Sequence, residues 1–237
     1  MFLDGRVAAS SAPDGAGCAS VTRMSELVES SKQRWGNSPA TYAANSLRIA
    51  GFDVMEEWER PCMDRMAAIA AARGGVVLEV GYGMGIAAAA LQGHDLDLHV
   101  VIEAHPDVLA RCLATHRAAL TAGSMHLLTG YWQDVTPLLA SSSIDGILFD
   151  TFPVASHEGN NSHTFPFFEE AYRLLKPGGV LTYFSSQPTA LGAAQLERLE
   201  QAGFAPGNID SELCAVSPPE SCTYWRASTI VVPTVVK

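Results

Sequence analysis

Two acidic side chains occupy positions where acids are costly, and a glycine-rich turn lies between them in the chain. Asp150 closes the apolar run Ile144-Asp145-Gly146-Ile147-Leu148-Phe149 and is followed by Thr151-Phe152-Pro153. A carboxylate set between Phe149 and Phe152 is expensive to bury without a cationic partner. At the carboxyl end of an apolar strand it would face the crevice where open α/β sheets bind ligands. The alternative is a plain acid at a loop start. Glu59 is the second case. Asp53 and Glu56 have capping-box spacing and predict a helix starting at Asp53. On that helix Met55, Trp58, Cys62, Met63 and Met66 share one arc, and Glu59 falls in its middle. Such a carboxylate is paired, lines a pocket, or reaches past the apolar stripe to water. Pro61 is expected to interrupt the helix nearby.

The turn Val77-Leu78-Glu79-Val80-Gly81-Tyr82-Gly83-Met84-Gly85 ends a strand and opens a helix. Glycines there allow a sharp bend and a close backbone approach to a ligand. The spacing is GxGxG with an acid two residues ahead, not the GxGxxG that seats a pyrophosphate on a helix N-terminus. A generic nicotinamide-dinucleotide turn stays open as an alternative. The next strand ends at Glu103, about 20 residues on, where a carboxylate suits a ribose diol. Trp132-Gln133-Asp134 follows the third strand, where Asp134 suits a helix N-cap and Trp132 the core.

Two carboxylates facing one pocket imply a planar cation. A guanidinium offers paired N–H groups that match carboxylates in forked geometry. Its nitrogens are poor nucleophiles because the lone pairs are delocalised and the group stays protonated. Two acids could hold its plane, draw positive charge toward the bound nitrogens and receive the proton as one nitrogen attacks. Asp150 and Glu59 are therefore the candidate catalytic pair.

These residues need a scaffold, and the rest of the chain outlines one. Apolar β-branched runs alternate with helical segments from Val76 onward, which indicates an α/β fold with a mostly parallel sheet covered on both faces. Ser228–Val236 is expected to add an antiparallel last strand. The pattern from Ser38 to about Ala72 is helical. Residues 1–23 lack either period and are expected to be a flexible tail, with Met24 an alternative start. Residues 24–237 then form one domain, with 24–72 a helical cover over the site. Pro153–Thr164 is the one long irregular stretch and is expected to be a lid or binding loop.

The chain has 237 residues, 48% of them hydrophobic and 17% charged, which excludes a disordered polyelectrolyte. Its formal charge of −10, with no Lys/Arg cluster, disfavours nucleic acid and suits cationic small molecules. The five cysteines lack CxxC spacing and the seven histidines are scattered, so neither a disulfide framework nor a metal site is indicated. No run of 18 uncharged apolar residues and no signal-peptide pattern occurs, so a soluble protein without membrane contact, in the cytoplasm, is expected.

The glycine turn resembles motif I of class I S-adenosylmethionine-dependent methyltransferases. Further segments carry the resemblance to a narrower family: Val54-Met55-Glu56-Glu57-Trp58-Glu59-Arg60-Pro61, Trp132-Gln133-Asp134-Val135, Asp145 to Pro153, and Arg173-Leu174-Leu175-Lys176-Pro177-Gly178-Gly179. Together they resemble guanidinoacetate N-methyltransferase. The stretches Ile102-Glu103-Ala104-His105-Pro106-Asp107 and Gly83-Met84-Gly85-Ile86 are closer to δ-type arginine N-methyltransferases. The resemblance implies a Rossmann-like seven-stranded fold and S-adenosyl-L-methionine as cofactor, leaving S-adenosyl-L-homocysteine as product. It implies that Trp35, Met55 and Met63 border the pocket and that Glu79, Gly81, Tyr82, Gly83, Met84, Gly85, Ile86 and Ala87 hold the methionine portion. Glu103 would take the ribose and Trp132-Gln133 the adenine, with Gln133 where the family usually has an acid. Glu59 and Asp150 would clamp a guanidinium, and Thr151, Ser185 and Ser186 would meet the acceptor's far arm. The implied enzyme acts on a small guanidino compound, as a monomer or homodimer. Arginine methylation, free or in a protein, and a non-catalytic binding module are the alternatives.

Overall fold

The computed structural model describes residues 16–154 and 164–237. Most of the expected tail, residues 1–15, and most of the expected lid, residues 155–163 with His163, lie outside the described residues. Helix α1 (Ala16–Asn37) begins within the stretch expected to be aperiodic tail. Its Val28, Lys32 and Trp35 recur at helical spacing and face one cavity. Gly36, Asn37 and Pro39 then end the helix.

The helix expected over Ser38–Glu56 is replaced by an antiparallel three-stranded sheet: β1 (Ala40–Tyr42), β2 (Ser46–Ile49) and β3 (Phe52–Glu56). Leu47 and Ile49 are buried while Arg48 is exposed, which is strand alternation with period 2. The β2–β3 hairpin turns on Ala50-Gly51, both at positive φ (53° and 84°). The strand period was masked by the acids that mimic a capping box at Asp53. The working cap lies three residues later: Glu59 Oε1 accepts the backbone N–H of Glu56 at 2.8 Å. A 3₁₀ turn (Glu57–Glu59) leads into α2 (Arg60–Ala70). Pro61 lies in the first turn of α2, where its missing N–H costs nothing, and does not break it.

The main sheet has seven strands: β4 (Val76–Val80), β5 (Leu98–Glu103), β6 (Met125–Thr129), β7 (Ile144–Phe149), β8 (Leu175–Tyr183), β9 (Ile209–Ala215) and β10 (Thr229–Val236). Their order is β6-β5-β4-β7-β8-β10-β9. The first five run parallel, and β10 is antiparallel to both β8 and β9. Helices α3 (Ile86–Leu91), α4 (Pro106–Thr115), α5 (Arg117–Ala122), α6 (Trp132–Val135), α7 (Phe165–Leu174) and α8 (Ala193–Gln201) connect them.

Strand alternation divides the core. Val77, Leu148 and Val180 pack with Met63, Met66 and Ala70 of α2 and with α3. Leu78, Ile147, Phe149 and Leu181 face Phe167, Phe168 and Leu174 of α7 and Leu199 of α8. Helix α2 lies so close that a Cβ on Gly146 would stand 1.9 Å from the Ala70 carbonyl oxygen. The chain reverses direction across the sheet at β4, between β5 and β7. That switch point opens a crevice at the carboxyl ends of the strands.

Candidate active site

The crevice is a cavity of about 810 Å³. The carboxyl ends of five strands supply its floor: Val80-Gly81, Glu103, Gly130-Tyr131-Trp132-Gln133, Phe149-Asp150-Thr151 and Phe184 with Ser186. Helix α1 and the small sheet form its roof. Trp35 stacks on Phe152 at 4.6 Å between ring centroids and 10° between planes. The Tyr131 hydroxyl donates to the Lys32 carbonyl at 3.0 Å, and His105 Nε2 donates to the Ser38 carbonyl at 2.8 Å. Asp107 Oδ2 accepts the Ala40 N–H. The roof is thus pinned to the loops after β5, β6 and β7.

Glu59 and Asp150 line this same cavity. Glu59 is 4% exposed, and burial followed by the charge of Asp150 pushes its carboxyl up to about 8. Burial, then the charge of Glu79, pushes Asp150 up to about 7. Among the described residues nothing hydrogen-bonds the Asp150 carboxylate. Lys32 is the one Lys or Arg among the described lining residues, and it is drawn to Glu29 (3.4 Å) and Asp134 (3.6 Å). With Glu59 buried and Asp150 half-buried, the pair is a recessed anionic site with no resident counter-ion among the described residues, the electrostatic complement of a cation.

Gly81 gives the pair its geometry. At φ +91° it lets β4 turn so close to β7 that a Cβ would meet the Asp150 carbonyl oxygen at 2.0 Å. A Cβ on Gly83 would stand 3.0 Å from Met55 Sδ, and the Gly83 carbonyl accepts the Tyr42 hydroxyl at 3.1 Å. Glu103 holds the turn in place. Its Oε2 accepts the Tyr82 N–H (2.9 Å) and its Oε1 accepts those of Ala104 and His105 (both 2.8 Å). A carboxylate has about four acceptor sites. One stays open toward the cavity for a hydroxyl.

Eleven sequence-selected residues line the cavity: Trp35, Met55, Glu59, Gly81, Gly83, Glu103, Trp132, Gln133, Asp150, Thr151 and Ser186. Trp132 also meets Phe149 and Phe167 edge-on, so cavity wall and core coincide there. The others need correction. Met63 is fully buried on the core face of α2. Glu79 points away from the cavity beneath α3, its Oε2 2.9 Å from His99 Nε2. The Tyr82 ring and the side chains of Ile86 and Ala87 are buried in core clusters, and Met84 packs against them. The space above Gly85 is filled by the Tyr82 ring. Ser185 is buried, and its hydroxyl donates to the Val231 carbonyl on β10 at 2.6 Å. None of these side chains lines the cavity: those of the turn are packed into the core, and Met63 and Ser185 are held by α2 and β10.

Tyr224 and Trp225 line the cavity from the β9–β10 loop, and neither was singled out from the sequence. Their available signal was an aromatic pair in an otherwise polar loop just before the last strand. Tyr224 donates to Glu59 Oε1 at 2.6 Å.

The residues present fit S-adenosylmethionine. Gly81 and Gly83 leave backbone facing the cavity, Glu103 keeps acceptor capacity for one ribose hydroxyl, and Trp132 with Gln133 walls the far end. Among the described residues no His/Cys/Asp/Glu cluster could hold a metal ion. No helix in the described residues is long and apolar enough to cross a membrane.

Solved structures share the fold. Spermidine synthase in complex with the transition-state analogue AdoDATO is similar, with a TM-score of 0.63 and 14% identity over 84% of this chain and 72% of that one. M. jannaschii TYW2 in complex with AdoMet gives 0.53 and 15%, over 84% of each chain. The fold is Rossmann-like, and the family match, to S-adenosylmethionine-dependent N-methyltransferases, gives the class. Within that class, the chain belongs to the guanidinoacetate N-methyltransferase family, whose sequence profile matches residues 24–237. Among curated proteins, protein arginine N-methyltransferase 2 of Yarrowia lipolytica is 35% identical over 140 residues, 56% of this chain and 28% of that protein. The Saccharomyces cerevisiae protein of the same name is 29% identical over 140 residues, 56% and 32% respectively. The chain spans about three tenths of the length of these relatives.

Proposed function

We propose that the enzyme methylates a guanidino nitrogen of a small acceptor, guanidinoacetate or a close analogue, in the cytoplasm. The observation that carries this reading is a buried and a half-buried acid, Glu59 and Asp150, lining one cavity with no cation paired to them among the described residues. S-adenosylmethionine, when bound, supplies an electrophilic methyl group on a sulfonium. The remaining chemistry belongs to side chains of this chain. Glu59 and Asp150 hold the guanidinium plane from two sides and draw positive charge toward the nitrogens they touch. The burial of Glu59 and the recessed setting of half-buried Asp150 strengthen this field, because little water competes. Asp150, against the glycine turn through Gly81, is the nearer acid to the cofactor end and takes the proton that the attacking nitrogen loses. The pinned roof of α1, Trp35 and Phe152 excludes water and fixes the approach, so most of the rate comes from positioning.

The match to the family over residues 24–237 supports guanidinoacetate. The arginine N-methyltransferase relatives support a second reading, an arginine guanidinium as acceptor. A methyl-transfer assay separates them: guanidinoacetate, arginine, agmatine and an arginine-containing peptide are offered with S-adenosylmethionine, and products are read by mass spectrometry. Methylated guanidinoacetate as the fastest product supports the first reading. Methylated peptide or free arginine in its place supports the second, and methylation of no guanidine at all would remove both.

A further inference from the structure

Glu59 has two carboxylate oxygens, and the fold leaves one of them for an acceptor. Oε1 takes the Glu56 N–H at 2.8 Å and the Tyr224 hydroxyl at 2.6 Å. Among the described residues, nothing hydrogen-bonds Oε2. The loop that brings Tyr224 here is seated on the segment that carries Glu59. Thr223 Oγ1 donates to Asp53 Oδ2 on β3 at 2.8 Å. The rings of Trp58 and Tyr224 lie 5.7 Å apart, and Trp58 Nε1 is itself fixed on Glu56 Oε2 at 2.6 Å. The phenol is therefore aimed at Glu59 by Asp53, Glu56 and Trp58, all within seven residues of one another in the chain.

We propose, resting on the guanidino reading of the site, that Tyr224 is a positioning residue: its hydroxyl locks Glu59 so that a single oxygen, Oε2, is turned to the guanidinium. Glu59 then offers a one-point contact, while Asp150 keeps both oxygens for a forked one. The lock also bears on charge. Asp150, just past the end of β7, and Glu56, at the end of β3, oppose the Glu59 anion, and the buried Cys62 on α2 stays a neutral thiol beside both acids. The Tyr224 hydroxyl and the Glu56 N–H are the donors that favour the anion. Losing the phenol's O–H leaves Glu59 protonated to higher pH, and a protonated Glu59 does not attract a cation.

The test is the pH profile of Tyr224→Phe. The acid limb of kcat/KM for the guanidino acceptor is expected to move up by about one pH unit, a tenfold effect. The loss should sit in acceptor KM at pH 7 and narrow toward pH 9, with S-adenosylhomocysteine affinity unchanged. A limb that stays in place, or an equal loss at every pH, overturns the proposal. Site-specific 3-fluorotyrosine at 224, a stronger donor of nearly the same size, should move the limb down; an upward or absent shift contradicts the lock. A failure of the guanidino reading is told apart by infrared titration of the ligand-free protein. The protonated-carboxyl band that Glu59→Gln removes should titrate about one unit higher in Tyr224→Phe. An unshifted band overturns the proposal whatever the acceptor proves to be.

Discussion

Asp150 and Glu59 were visible in the sequence because an acid inside an apolar pattern has few ways to exist. The period argument placed Asp150 correctly at a strand end. It placed Glu59 in a buried position for the wrong local reason, since Met55 and Trp58 reach the same surroundings from a strand and a 3₁₀ turn. Residues that act through backbone contacts were less legible. Nothing in the sequence around Ser185 distinguishes a hydroxyl tied to β10 from one facing a ligand. Asp150→Asn keeps the shape and loses the proton acceptor. Turnover should fall by about a thousandfold or more, in the range of a lost general base combined with lost charge stabilisation. S-adenosylhomocysteine affinity by calorimetry should change less than about twofold, and an unchanged turnover removes Asp150 from the chemistry. Glu103→Ala releases three backbone N–H groups of the β5 end and the glycine turn at once. Cofactor affinity should fall at least about tenfold, on the scale of losing one or more charge-assisted hydrogen bonds. A defect confined to acceptor KM would contradict the assignment.

At the scale of elements, the β4–β8 alternation was readable because parallel strands buried on both faces are apolar throughout. The roof was not, because β1–β3 are short and their turn uses Ala50-Gly51 in place of a strong hairpin signal such as Asn-Gly. The edge strand β9 also escaped notice, with five of its seven residues exposed and no alternating apolar face. Two substitutions test how these elements hold the site. Trp35→Ala removes the stack on Phe152 that ties α1 to the loop after β7. It should weaken cofactor binding by about tenfold or more while far-UV circular dichroism of the sheet is retained; unchanged affinity would mean that α1 does not close the cavity. Gly146→Ala drives a methyl into the Ala70 carbonyl, where helix and strand cannot part without loss of core packing. Denaturant unfolding should show destabilisation of about 2–4 kcal/mol, the range of overpacked or displaced cores.

For the whole molecule, the acids proposed to bind the acceptor destabilise the empty fold. In the folded state Glu59 and Asp150 hold protons up to about 8 and about 7, from ordinary values of 4.5 and 3.8. The folded state binds more protons than the unfolded chain across that window, so stability falls as pH rises through it and levels off above about 8. Glu59→Gln and Asp150→Asn should each stabilise the ligand-free protein at pH 8.5 by on the order of 1–2 kcal/mol, a few degrees in Tm, and lose that advantage near pH 4. A guanidinium seated between the acids reverses the balance, because the carboxylates then gain by ionising and their protons leave. Calorimetric titration of the acceptor into the S-adenosylhomocysteine-loaded enzyme at pH 7, where no methyl transfer occurs, repeated in buffers of different ionisation enthalpy, measures that release directly. Close to one proton should leave per acceptor bound, and fewer in Glu59→Gln. Binding with no proton exchange would contradict the view that a pair of partly protonated acids recessed in the cavity is what grips the acceptor.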